Sequence, residues 1–207
     1  MTEKRAGLAA LLGRDGDDAL VVLDEAYVDF IEDPAAAADG LATLETRPEG
    51  LLLLRTFSKI TGLAGLRVGY AIADPAVIAA LERVREPFNV GRLAQVGAAA
   101  AVRDVAHRDA TRELVRQERR ALSAALAARG LGVVPSDANF FTVRLGRDSG
   151  DVVARMRARG VLVRDGAAVG LPGHLRVTIG TPAQNAAMLA ALDLALGAAA
   201  PDGPLPR

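Results

Sequence analysis

Residues 51–70 read LLLLRTFSKITGLAGLRVGY. Four leucines followed at once by polar residues describe a short strand buried on both faces of a parallel sheet, with Thr56, Ser58 and Lys59 delivered at its carboxyl end. The lysine is out of character. Of 25 basic residues only Lys4 and Lys59 are lysine, the other 23 being arginine, and Lys4 lies in a polar leader. An amine can lose its proton when desolvated and attack a carbonyl, whereas a guanidinium stays charged and forms no Schiff base. Lys59 is therefore either a reactive group or a loop residue that happens not to be arginine.

Outward from this stretch, strands and helices alternate. Residues 19–23 (ALVVL) form a second apolar run ending in acids, again as expected for a strand buried on both faces, and the alanine-rich residues 34–44 suit a crossover helix between the two. Residues 66–73 make a third strand. Asp74 and Pro75 cap and start a helix over residues 75–85, which Glu86-Pro87 ends. Beyond Gly91 the pattern is helical, with Asp109 as a cap for a helix ending near Arg129 and Gly130 as its stop. Strands follow at residues 132–135, 139–145, 161–164 and 175–179, with helices at 151–159 and 182–196. The change from buried runs to short strands divides the chain into a partial α/β domain (1–103) with a mostly parallel sheet, a small α+β domain (104–197) and a disordered tail (198–207).

Composition narrows the function classes. The 207 residues are 51% hydrophobic but 3% aromatic, so the core is aliphatic. Formal net charge is zero, which gives no footprint for nucleic acid or an anionic membrane. Absence of cysteine removes disulfide scaffolds and thiolate metal sites, and two widely separated histidines argue against zinc, so no metal is expected. MTEKRAG has no apolar signal core and no run reaches membrane-spanning length. A cytoplasmic setting is expected.

In an open parallel sheet ligands bind at the carboxyl ends of the strands. Asp24, Glu25 and Tyr27 follow one strand and Thr56, Ser58 and Lys59 the next. A carboxylate and an amine on one rim fit pyridoxal 5'-phosphate: its aldehyde takes a lysine, its ring nitrogen needs an anionic partner, and its phosphate needs cations and hydroxyls.

VVLDEAYVDF followed by LRTFSKITGLAGLRVGYAIADP resembles the core of fold-type-I pyridoxal-phosphate aminotransferases, and most closely the histidinol-phosphate aminotransferases. PSDANFFTVRL, RGVLVRDG and HLRVTIGTPAQN continue the resemblance in the same order, from about residue 19 to residue 196. The resemblance implies that Lys59 forms the Schiff base, Asp24 partners the pyridine nitrogen and Tyr27 hydrogen-bonds the ring's phenolic oxygen. Ser58 and Arg67 would hold the phosphate, with Thr56 a further candidate. Gly65 and Gly69 either permit tight backbone passage or are ordinary turn and strand glycines.

Alternation in HLRVTIG puts Leu175, Val177 and Ile179 on one strand face and His174, Arg176 and Thr178 on the other. The resemblance makes Arg176 the bidentate grip on a substrate carboxylate, where alternation alone would give a solvated face. By the same resemblance Arg164 meets the substrate's distal phosphate and Asn139 orients the carboxylate; a surface pair or a cap is the other reading of each. The implied reaction is histidinol phosphate plus 2-oxoglutarate to imidazole acetol phosphate plus glutamate, in a homodimer.

Family members carry a long segment ahead of the DEAY strand, with a phosphate-cupping loop, a ring-stacking aromatic and an NPTG-like motif, and residues 1–18 contain none of these. The chain thus resembles the C-terminal half or more of such an enzyme. The expectation is an exposed apolar sheet edge, self-association and no transamination by the chain alone. Rival readings are a nucleotide hydrolase, which would need a Gly-Lys pair that the chain lacks, and a serine hydrolase, for which Ser58 lacks flanking glycines. Other class I/II aminotransferases, threonine-phosphate decarboxylases and an inactive, interaction-only fragment remain as alternatives.

Overall fold

A computed structural model of the chain describes residues 3–12, 19–33, 37, 39–46 and 48–197. The tail expectation for 198–207, and residues 34–36 and 38 of the first crossover helix, lie outside them. The chain divides into two compact units, Met1–Thr111 and Arg112–Arg207.

The first unit is built on a three-stranded sheet, β1 (Val21–Asp24), β2 (Leu51–Thr56) and β3 (Gly69–Ala73), in the order β1-β2-β3. β1 and β2 are parallel, with Leu23 opposite Leu53 and Asp24 opposite Leu54. β2 and β3 are antiparallel, with Thr56 opposite Gly69. The sheet is therefore mixed rather than mostly parallel. Residues 57–68 close as a compact loop around one 3₁₀ turn, Ala64–Leu66, and return the chain beside β2, where a parallel return needs a crossover helix.

Leu51 and Leu53 are fully buried and pack with Leu8 and Leu12 of helix α1 (Glu3–Leu12), Leu44 of α2 (Gly40–Thr46), and Val21, Leu23 and Ile72. The segment read as a polar leader is thus a helix lying on the sheet. The opposite face bears out the reading of strands buried on both sides only in part: Leu52 is buried, but Val22 is 53% exposed and Leu54 37%. Helices α1 and α2 lie on the face of Leu51 and Leu53, and among the described residues β1 is an edge of the sheet.

Asp74 caps α3 (Pro75–Glu82) by accepting from the Ala76 N–H at 2.8 Å. Two helices follow, α4 (Arg92–Arg103) and α5 (Val105–Ala127), broken at Asp104. Asp104, and not Asp109, meets the new helix: its carboxylate accepts from the His107 N–H at 3.1 Å, and Asp109 lies inside α5. Both aspartates suit a cap. The hydrogen bond formed five residues earlier sets the helix start. Ala94 and Ala98 of α4 are buried with Phe57 and Val68, so α4 clamps the two ends of the 57–68 loop.

The second unit holds an antiparallel sheet of β4 (Gly132–Val134), β5 (Phe140–Arg144), β6 (Arg164–Asp165) and β7 (His174–Thr178), ordered β4-β5-β7-β6. Phe141, Val143, Leu175 and Val177 are buried, along with Val152 and Met156 of α6 (Ser149–Arg157) and Met188 and Leu192 of α7 (Pro182–Leu196). β6 is shorter than the expected 161–164 strand. Gly160 takes φ 77° and the Val161 N–H is spent on the Met156 carbonyl, so these residues finish α6 instead of pairing.

The two glycines left open by sequence separate here. A Cβ on Gly69 would lie 2.7 Å from the Arg55 carbonyl oxygen, whereas nothing lies within 4 Å of one on Gly65. Gly69→Ala is expected to lower stability by about 1–3 kcal/mol, because backbone has to move. Gly65→Ala should change stability by less than about 1 kcal/mol, toward stabilisation. Urea unfolding of both variants checks the difference.

Candidate active site

Alternation along β1 decides which acid faces where. Glu25 follows Val21 and Leu23 onto the face covered by α1 and α2, and Asp24 follows Val22 onto the open face. Glu25 is buried, and its Oε2 accepts from both Nε and Nη2 of Arg55, each at 2.8 Å. Asp24 stays exposed, and its Oδ1 accepts from the Ala26 N–H at 2.9 Å, which turns the chain sharply after the strand. Of two adjacent carboxylates, one is committed to the fold and one is left at the surface.

Asp24, Ala26, Leu54, Arg55, Thr56, Ser58, Lys59 and Arg67 line one solvent-open cavity of about 300 Å³. The Thr56 hydroxyl accepts from the Ser58 N–H at 3.0 Å, which folds the chain back at the end of β2. Arg67 reaches across the loop, with Nη1 3.4 Å from Ser58 Oγ and 2.8 Å from the Ala64 carbonyl. Its backbone is left-handed, φ 51° and ψ 55°, a conformation that costs a non-glycine residue about 1–2 kcal/mol. Strain of this kind persists only where surrounding structure holds it, here the buried neighbour Val68 and the Ala64 contact. Lys59 Nζ lies 5.2 Å from the centroid of the Tyr27 ring, within cation–π range.

The cavity thus gathers six of the nine residues singled out by sequence, counting Tyr27 through its contact with Lys59. An amine, two guanidiniums and two hydroxyls around one opening suit a phosphate-bearing ligand, and Asp24 suits a cationic ring atom. That donor set fits pyridoxal 5'-phosphate. Among the described residues no cluster of histidine, cysteine, aspartate or glutamate could hold a metal ion.

The other three lie in the second unit. Arg176 stands on β7 directly opposite Arg164 of β6, and its guanidinium stacks 3.7 Å from the centroid of the Phe140 ring. Asn139 precedes β5, where its carbonyl accepts from the Ile179 N–H at 2.9 Å.

Sequence reasoning missed Arg55. Burial acts to lower its pKa, but the hydrogen bond and charge of Glu25, with a smaller part from Tyr70, more than offset this and raise it. The signal was present in the alternation, since residues 25 and 55 fall on the same sheet face as Leu23 and Leu53.

A sequence model of the family described as aminotransferase class I and II matches residues 8–192. The chain belongs to this family. It is 46% identical over 192 residues to a histidinol-phosphate aminotransferase of Symbiobacterium thermophilum, covering 93% of this chain and 52% of the relative. Another such aminotransferase, from Anaeromyxobacter sp., is 45% identical over 194 residues, covering 93% and 53%. The chain spans about half the length of the curated relatives it matches. Among solved aminotransferase structures, histidinol-phosphate aminotransferase from Sinorhizobium meliloti in complex with pyridoxal-5'-phosphate superposes with TM-score 0.77 at 29% identity, covering 86% of this chain and 48% of that one. L-threonine-O-3-phosphate decarboxylase from Porphyromonas gingivalis superposes with TM-score 0.76 at 26% identity, covering 92% and 59%.

Arg67 carries both the strain and the cation, and the two separate by substitution. Arg67→Val should lose about 1–2 kcal/mol, because a β-branched residue resists the left-handed conformation, and Arg67→Asn should lose less. Millimolar inorganic phosphate should raise the melting temperature of the native chain and leave that of Arg67→Asn unchanged. Equal shifts in both proteins would remove Arg67 from the phosphate site.

Proposed function

We propose that this chain is the lysine-bearing part of a pyridoxal-phosphate-dependent aminotransferase that acts on histidinol phosphate with 2-oxoglutarate as amino acceptor. The observation that carries the reading is the presence of Lys59, Asp24, Ser58 and Arg67 on one cavity wall. Relatives named histidinol-phosphate aminotransferase, at 43–46% identity, support the choice of substrate.

Lys59 would be the covalent anchor for the cofactor aldehyde, with Ser58 Oγ, the Arg67 guanidinium and Thr56 holding its phosphate. Tyr27 would hydrogen-bond the phenolic oxygen. When bound, pyridoxal 5'-phosphate supplies an electron sink for the pair left behind when the substrate Cα loses its proton. The Asp24 carboxylate keeps a proton on the pyridine nitrogen through its charge. Lys59 Nζ would serve as the base that takes the proton from the substrate Cα.

In the second unit Arg176 would grip the substrate carboxylate bidentately, with Asn139 orienting it and Arg164 meeting the distal phosphate. Stacking on Phe140 fixes the plane of the Arg176 fork before substrate arrives, which reduces the ordering cost of binding. On this reading residues 1–103 are part of a fold-type-I large domain and residues 104–197 a small α+β domain. The complete enzyme is a cytoplasmic homodimer. Among the described residues no helix is long and apolar enough to cross a membrane. The likeness to the threonine-phosphate decarboxylase supports a second reading, in which the same lysine and acid serve loss of carbon dioxide from a phosphorylated amino acid.

Incubation with pyridoxal 5'-phosphate, borohydride reduction and peptide mapping should label Lys59 in preference to Lys4, and Lys59→Ala should abolish the major label. Equal labelling of the two lysines contradicts the assignment. Product analysis with the complete enzyme, glutamate against carbon dioxide, separates the two readings.

A further inference from the structure

Glu25 lies outside the cavity lining and Arg55 forms part of its wall, and neither has a place in the chemistry described above. Their geometry is that of a strut. The Glu25 N–H makes the last rung between β1 and β2, donating to the Leu54 carbonyl at 2.9 Å. Its side chain then crosses to β2, where both donors of the Arg55 fork meet Oε2. The other oxygen, Oε1, faces α2: a Cβ on Gly40 would lie 2.5 Å from it, so a larger residue there would push against the pair. Arg55 is in turn opposite Tyr70 on β3, whose ring centroid is 5.5 Å from that of Phe57. A continuous chain of contacts thus runs from Glu25, the neighbour of Asp24, through Arg55 and Tyr70 to Phe57, two residues before Lys59.

We propose that Glu25 and Arg55 are a positioning pair, which fixes the distance between the Asp24 carboxylate and the Lys59 amine by locking the carboxyl ends of β1 and β2 together. The inference rests on the cofactor reading for what Asp24 and Lys59 do, and on geometry alone for how they are held. Glu25 is buried while the Arg55 side chain is 24% exposed, and an ion pair with a buried partner is seldom the most stable solution, since well-packed apolar residues at such sites are often as good or better. Its retention at a ligand cavity is explained by direction: a fork and a carboxylate define a relative orientation of two strands, which apolar packing leaves looser.

This reasoning sets the test. The double variant Glu25→Leu/Arg55→Met removes both charges and leaves neither unpaired, so its urea midpoint should stay close to that of the native chain. The pyridoxal 5'-phosphate concentration that gives half-maximal borohydride labelling of Lys59 should nevertheless rise about tenfold to a hundredfold. Glu25→Gln, which keeps Arg55 in the cavity wall, should move the concentration in the same direction. Arg55→Lys keeps the charge without the fork, and should also raise it. Should the double variant not fold, Glu25→Gln and Arg55→Lys carry the same comparison. Native-like labelling in the folded double variant, or in Glu25→Gln and Arg55→Lys together, overturns the proposal. Loss of labelling in Arg55→Lys with none in Glu25→Gln makes Arg55 a direct ligand and also overturns it.

A measurement without cofactor separates this inference from the cofactor reading. The ratio of Lys59 to Lys4 acetylation by acetic anhydride should rise in the folded double variant, as the loop bearing Lys59 loosens. A changed ratio in a protein whose native form takes no pyridoxal 5'-phosphate on Lys59 sinks the cofactor reading and leaves the positioning pair standing. An unchanged ratio overturns the pair.

Discussion

The parallel pairing of β1 with β2 is the constraint on which the site depends. Each strand brings its chemistry at its carboxyl end, and only parallel pairing in this register puts Asp24 and the Thr56–Lys59 turn at the same edge. Leu51 and Leu53 hold that register, since both are fully buried and a slip of one residue turns each of them to the opposite face. The same slip would put Glu25 where Asp24 stands. Burial of aliphatic side chains thus selects which carboxylate lines the cavity.

The 57–68 loop adds a second layer of control. Small residues on α4 let the helix approach closely enough to bury Phe57 and Val68, and Gly97 brings it against Leu66, whose Cδ1 would be 2.9 Å from an added Cβ. With both ends fixed, Arg67 is held in a backbone conformation it would not choose, and its guanidinium is returned toward Ser58. The about 1–2 kcal/mol of strain is compatible with folding because the buried leucines and the loop anchors contribute more than this.

Much of this was readable in the sequence because the signals were local. Asp74-Pro75 marked α3, and the alternation in HLRVTIG put Leu175 and Val177 inside. What escaped was non-local. Nothing in residues 66–73 states whether that strand runs parallel or antiparallel to β2, because direction is set by how the preceding loop folds. Burial of β1 on one face depends on which helices cover the sheet, so its apolar run promised more than the described residues deliver. Asp104 and Asp109 are equivalent as caps in sequence, and it is Asp104 that accepts from the His107 N–H at the helix start. At the site, Lys59 and Asp24 stood out by type and place. Arg55 did not, because in a chain with 23 arginines its importance is carried by its partner Glu25.

The central claim is that the ends of two paired strands hold one ligand from two sides, by an amine and by a carboxylate. A crystal structure of the chain after reduction with pyridoxal 5'-phosphate tests it most directly. The expected result is a covalent adduct on Lys59 Nζ whose ring nitrogen faces the Asp24 carboxylate and whose phosphate rests on Ser58 and Arg67. An adduct on Lys59 with its ring nitrogen turned away from Asp24, or with its phosphate held by other residues, would contradict the account.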